Sequence, residues 1–176
     1  MERLLRKFPN GHVEDDGHKR GGALYSPEER IRRDESPWTF VQGLLAPLQF
    51  LIFLISLALV LRYLSTGEGA FAADISIVAK TMALYAIMIT GSIWEKQVFG
   101  KWLFARPFFW EDVFSMVVIA LHTLYLALLL SGLGTVEQRM LVALAAYATY
   151  VVNAGQFLLK LRAARLDDPR NAVVAG

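Results

Sequence analysis

The stretch Trp38-Thr-Phe-Val-Gln-Gly-Leu-Leu-Ala-Pro-Leu-Gln-Phe-Leu-Ile-Phe-Leu-Ile-Ser-Leu-Ala-Leu-Val-Leu61 runs without a single acidic or basic side chain. A soluble core helix rarely needs so long an uncharged run, whereas crossing the hydrocarbon of a bilayer takes ~20 apolar residues in helical form. The stretch therefore reads as a transmembrane helix, and the chain as an integral membrane protein.

Working outward, Pro47 is expected to kink this first span, which covers about 38–64. The turn residues Ser65-Thr-Gly-Glu-Gly69 close it. A second span is expected over about 75–98, with Lys80 near enough to its start to snorkel outward. Gly100 to Asp112 mixes Lys101 and Arg106 with Trp102, Trp110 and phenylalanines, an interfacial composition. A third span covers about 113–131, Gly132 and Gly134 mark a turn, and a fourth span covers about 140–159. The expected fold is an all-α bundle of four transmembrane helices occupying residues 25–166. Residues 1–24, polar and carrying both charge signs, read as a disordered tail and not as a signal peptide. Residues 167–176 read as frayed. Ser26-Pro27-Glu28-Glu29 has the N-cap, first-turn Pro and acids of a short surface helix reaching about Asp34.

The 176 residues are 55% apolar and carry a net charge of +2, too small a surplus to imply nucleic acid. Basic residues flank the spans instead. Arg30, Arg32 and Arg33 precede the first, Lys96, Lys101 and Arg106 lie in the second loop, and Lys160, Arg162 and Arg165 follow the fourth. The first and third loops carry only Arg62, Lys80 and Arg139. This bias predicts that both termini face the cytoplasm. With no cysteine, thiolate catalysis, iron–sulfur clusters and Cys-based zinc sites are excluded. His12 and His18 with Asp15 and Asp16 offer loose metal-binding chemistry, but a disordered tail is the simpler reading.

Polar groups inside a bilayer are costly and so invite a functional reading. In this topology they gather at one side: Gln42 and Gln49 on the first span, Thr90, Trp94 and Glu95 on the second, Glu111, Asp112 and Ser115 on the third, Asn153, Gln156 and Lys160 on the fourth. The outer halves offer little beyond Ser, Thr and Tyr. Gln42 and Gln49 share a stripe two turns apart, as do Asn153 and Lys160, and Glu111, Ser115 and His122 fall on nearly one face. Glu111 and His122 are still roughly 16 Å apart along the axis, beyond a direct hydrogen bond. Blander readings stand beside this one. Acids suit helix ends, and Gln or Asn between helices serves packing. His122, the one histidine outside the tail, sits in an apolar run as a candidate base or axial metal ligand.

Four stretches carry a resemblance. They are Ser36-Pro-Trp-Thr-Phe-Val-Gln-Gly-Leu-Leu-Ala-Pro-Leu-Gln-Phe50, Trp94-Glu-Lys-Gln-Val-Phe-Gly100, Phe108-Phe-Trp-Glu-Asp-Val-Phe-Ser-Met116 with His122, and Tyr147-Ala-Thr-Tyr-Val-Val-Asn-Ala-Gly-Gln-Phe157. Over about 24–166 the chain resembles the 3-vinyl (bacterio)chlorophyllide hydratases of bacteriochlorophyll synthesis. The resemblance implies a hydro-lyase of the bacterial inner or intracytoplasmic photosynthetic membrane. It would add water to the C3 vinyl group of chlorophyllide a or its 3-vinyl bacteriochlorin counterpart, giving a 1-hydroxyethyl group. The partners implied are that tetrapyrrole, the bilayer and other enzymes of the same synthesis. No cofactor is implied, since the substrate carries its own magnesium, and no protein metal site.

Such a hydration needs a proton donor, a base for water and a flat apolar slot. Glu95, Glu111, Asp112 and His122 are the expected catalytic residues. Gln42, Gln49, Trp94, Trp110, Ser115, Asn153 and Gln156 are the expected substrate-binding residues. Carboxylic acids that stay protonated in an apolar pocket would serve as donor, with Glu95 and Glu111 first in line. The competing reading is a non-catalytic pigment carrier or assembly factor in which His122 holds the chlorin magnesium. A small transporter is a third reading, opposed by the lack of internal repeats.

Overall fold

The structure, a computed structural model, describes residues 24–166, with side chains to 163. The histidine-containing tail and the stretch 167–176 lie outside the described residues. Among those described the chain is helical with no strands. The order is α1 (Pro27–Glu35), α2 (Pro37–Thr66), α3 (Ala70–Phe99), a 3-10 turn (Arg106–Phe108), α4 (Phe109–Ser131) and α5 (Val136–Leu166). The last four helices are each long and apolar enough to cross a membrane.

Local chemistry sets the boundaries. Ser26 caps α1 in a reciprocal box, its hydroxyl accepting from the Glu29 N–H while the Glu29 carboxylate accepts from the Ser26 N–H. α2 ends at Gly67, whose φ of 75° is a left-handed conformation that a side chain would resist, and α4 ends the same way at Gly132 with φ 66°. α2 continues through Pro47.

α2 packs along α3, and α4 along α5, as two antiparallel hairpins. They meet at two looser seams, α2 against α5 and α3 against α4. α1, the α3–α4 connection and the end of α5 share one end of the bundle, here the terminal end. The α2–α3 and α4–α5 turns form the hairpin end. Fully buried Ala73, Ala143 and Ala146 let backbones approach closely, as packing in lipid favours. Polar bonds stitch the seams: Ser56 Oγ to Tyr147 OH at 2.5 Å and Tyr85 OH to Thr123 Oγ1 at 2.7 Å. Outward faces carry exposed Leu44, Leu51, Ile55 and Leu158, the surface a bilayer would cover.

The apolar interior is split in two. The larger cluster, around Phe53, Ile77, Leu84, Val118, Tyr125 and Tyr147, fills the middle and the hairpin end. A smaller one at the terminal end joins Tyr25, Val98 and Phe108. Tyr25 stacks on Phe99 at 5.8 Å beneath the Arg33 guanidinium, and burial pushes its hydroxyl up to about 12.

Two expectations are corrected here. Lys80 does not snorkel. α3 begins at Ala70, so Lys80 lies ten residues inside the helix and is fully buried. Nor do the outer halves offer little beyond Ser, Thr and Tyr. Asp74 accepts a hydrogen bond from Tyr125 OH and lies 3.7 Å from the Arg139 guanidinium, joining α3, α4 and α5.

Candidate functional site

Between the two apolar clusters, the inward positions are polar. α3 presents no buried residue from Tyr85 to Trp94 and then buries Glu95. α4 buries Glu111, Asp112 and Ser115, α5 buries Asn153, and α2 buries Gln49. This layer is where the candidate residues converge.

At its terminal edge the Glu95 and Asp112 side chains interact with each other across the α3–α4 connection. Each also holds that connection in place. Glu95 Oε2 accepts the Ala105 N–H at 3.1 Å, and Asp112 Oδ2 accepts the Phe104 N–H at 2.7 Å. Phe104 adopts φ 59°, so the chain doubles back sharply enough to aim both N–H groups at the carboxyls. Beside them Glu111 Oε1 pairs with Lys160 Nζ at 2.6 Å. Lys160 also donates to the Pro107 carbonyl and lies 5.1 Å from the Phe108 ring centre. A turn deeper, Asn153 Nδ2 donates to Ser115 Oγ at 2.8 Å. Three buried acceptors in this layer have no donor: Glu111 Oε2, Asn153 Oδ1 and Gln156 Oε1. A buried acceptor without a partner is expensive, so the layer is suited to water or to a ligand that donates.

His122 is fully buried deeper in the bundle, beside the larger cluster, with its ring 5.8 Å from Tyr147. Its Nδ1 lies 2.8 Å from the Val118 carbonyl, which can only accept, so Nδ1 carries the proton. Nε2 then presents a lone pair, without a partner, to the interior.

The other expected residues are dispersed. Gln42 donates to Thr90 Oγ1 at 2.7 Å, and Trp94 Nε1 donates to Thr39 Oγ1 at 2.9 Å; both bonds tie α2 to α3. Trp94 also meets Phe108 edge-on at 5.6 Å, walling the smaller cluster. Trp110 faces away from the polar layer and is 66% exposed. No group of three or more His, Asp or Glu side chains among the described residues is arranged to hold a metal ion.

Sequence reasoning read Lys80 and Arg139 only as charges flanking the spans, passed over Asp74, and did not pair Lys160 with Glu111. The Gly67–Gly69 turn was the available signal for Asp74 and Lys80, since a helix starting there puts both well inside it. It also missed Tyr147 and Tyr150, which with Asn153 form a stripe at three-residue spacing on the inner face of α5.

No solved structure matches the chain. Residues 25–163 match the family described as 2-vinyl bacteriochlorophyllide hydratase (BCHF). A relative from Rhodobacter capsulatus named 2-vinyl bacteriochlorophyllide hydratase is 66% identical over 145 residues, covering 82% of this chain and 84% of its own. A relative of the same name from Cereibacter sphaeroides is 67% identical over 144 residues, covering 82% and 89%. The vinyl-bearing carbon is 2 in one numbering of the macrocycle and 3 in the other. With a match along nearly all of its helical part, the chain belongs to the 2-vinyl bacteriochlorophyllide hydratase family.

Proposed function

We propose that this chain is a hydro-lyase that adds water to the vinyl group of a (bacterio)chlorophyllide inside the membrane, with the Glu95–Asp112 pair as its proton source. The observation that carries the reading is the juxtaposition of those two buried carboxyls, each accepting a backbone N–H of the same connection. Two carboxyls that share a buried site disfavour double ionisation, so the pair is suited to hold one proton beside an apolar interior. A pigment carrier has no use for such a store.

The chemistry balances without an electron carrier. The pair gives its proton to the terminal vinyl carbon, the π electrons form the new C–H bond, and the cation left on the inner carbon is spread over the macrocycle. Water attacks that carbon and loses a proton, which returns to the carboxyl cluster, and a 1-hydroxyethyl group results. Glu111, paired with Lys160 through Oε1 and with Oε2 unpartnered, suits the water's proton. Asn153 Oδ1, steadied through its bond to Ser115, suits the water itself. His122 offers Nε2 as an axial ligand to the magnesium the substrate carries. Nothing links that nitrogen to the carboxyl cluster, which favours ligand over base. Gln49 and Gln156 border the same layer and would meet the macrocycle's edge.

The Lys and Arg residues at the terminal end favour the cytoplasmic side of a bacterial inner or intracytoplasmic membrane for this layer. Since pigment and product both partition into lipid, neighbouring enzymes of bacteriochlorophyll synthesis are its natural partners.

The test is turnover by the purified chain in lipid nanodiscs given chlorophyllide a. A product heavier by one water, bearing one deuterium on the new methyl carbon when made in heavy water, is expected. Bound but unaltered pigment would leave the carrier reading instead.

A further inference from the structure

Lys80 has no part in the chemistry above, yet it is the fully buried ammonium among the described residues. Its Nζ has no hydrogen-bond partner. The Tyr150 ring centre lies 3.5 Å away and that of Phe53 5.9 Å away. Ring faces attract the charge, but they take up none of the three N–H donors in the way an oxygen does. His122 Nε2 is equally bare, and the two residues are near enough for their charges to interact. One interior region thus offers unmatched cationic donors and an unmatched lone pair side by side. Beside them an apolar cleft of about 250 Å³ opens along the α2–α5 seam between Phe53, Leu57, Leu144, Tyr147, Ala148 and Val151. Phe53 and Tyr147 line the cleft and also face Lys80 and His122, so these two rings separate the lipid-facing cleft from the pair.

We infer that Lys80 binds the free carboxylate of the pigment and makes the chain selective for free-acid over esterified macrocycles. This inference rests on the hydratase reading for the identity of the ligand. A bacteriochlorophyllide differs from the corresponding esterified pigment in having an unesterified propionate. That anion would be costly to bury in a bilayer unless a cation met it there. Lys80 supplies the cation where the chain otherwise leaves it unmatched, and the same molecule brings a magnesium ion for His122. The apolar cleft would take one edge of the macrocycle's flat body, so its three chemical features meet three complementary features of the bundle.

The test titrates the full chain in nanodiscs with chlorophyllide a and with its methyl ester. Pigment absorption reports binding, and product mass reports hydration. The wild-type chain should bind the acid about ten- to a hundredfold more tightly than the ester, the range for a charge-assisted bond. Lys80→Gln should abolish that preference, and Lys80→Arg should keep most of it. Lys80→Met, which removes the charge and keeps the length, gives the same reading where the glutamine variant fails to assemble. A wild-type chain indifferent to esterification, or a neutral variant that still prefers the acid, overturns the inference. Acid preference in binding with no hydration of either pigment would sink the hydratase reading alone and leave Lys80 in place.

Discussion

Replacing Glu95 with Gln separates the proton from the scaffold that holds it. In the native bundle the Glu95 side chain accepts the Ala105 N–H at 3.1 Å and interacts with the Asp112 carboxyl. A glutamine can keep both contacts, accepting through Oε1 and donating to the Asp112 carboxylate through Nε2. The α3–α4 connection therefore stays tethered, and thermal stability should change by less than ~1 kcal/mol, within the range of one hydrogen bond exchanged for another. What disappears is the transferable proton. Positioned acids contribute ~10²–10⁴-fold, so turnover should fall at least a hundredfold, about 2.7 kcal/mol on the barrier, with pigment affinity unchanged.

Glu95→Ala makes the contrast. It strands the Ala105 N–H, whose residue is 1% exposed, and leaves Asp112 without its partner, at ~1–3 kcal/mol for each unsatisfied group. That variant should lose both turnover and thermal stability. Initial rates by product mass, pigment titration and thermal unfolding on the same nanodisc samples distinguish the two patterns. If Glu95→Gln and Asp112→Asn each retain more than about a tenth of the native rate, below the smallest contribution of a positioned acid, the pair is not the proton source.

Three further outcomes are expected. His122→Gln should weaken binding of the magnesium pigment and shift its absorption band while leaving a magnesium-free pigment unaffected; a base would instead lose turnover with binding intact. Lys160→Met strands Glu111, which is buried with its other oxygen already unpartnered, so the single variant should unfold at lower temperature than the double variant Lys160→Met with Glu111→Gln. Reporter fusions within 100–106 and after Arg162 should report the cytoplasm, and fusions within 66–69 the opposite side; a reversed pattern would move the carboxyl cluster to the outer face.

Four membrane helices are legible in the sequence because the bilayer imposes a length and a composition that any apolar run must display. The candidate residues were legible as types in favourable halves of spans, but their pairing was not. Glu95 and Asp112 are separated by a connection whose fold depends on the left-handed turn at Phe104, a conformation that a phenylalanine does not advertise. Glu111 and Lys160 come from opposite ends of the second hairpin and meet because α4 and α5 are antiparallel. Lys80 was misplaced for a different reason. The expected span starts only at Ile75, just past Asp74, and it is the approach of Tyr125 and Arg139 from the other hairpin that makes that acid tolerable within a span.

These pairings also explain why the two hairpins associate at all. Lipid tails are as apolar as leucine, so burying aliphatic surface between hairpins supplies little drive within a bilayer, and polar contacts across the seams must supply more. At the hairpin end that role falls to Asp74, Tyr125 and Arg139, and at the α2–α5 seam to Ser56 with Tyr147. At the terminal end the α3–α4 seam is closed by the meeting of Glu95 and Asp112 and by the backbone N–H groups both of them hold. The proposed proton source is thus also an assembly contact, and the two roles favour the same geometry. A proton shared by two carboxyls neutralises part of the charge that would oppose burial, and it supplies the hydrogen bond that joins the helices. Alanine scanning of this layer would consequently report assembly and chemistry together, whereas amide replacements preserve the contact and remove only the acid.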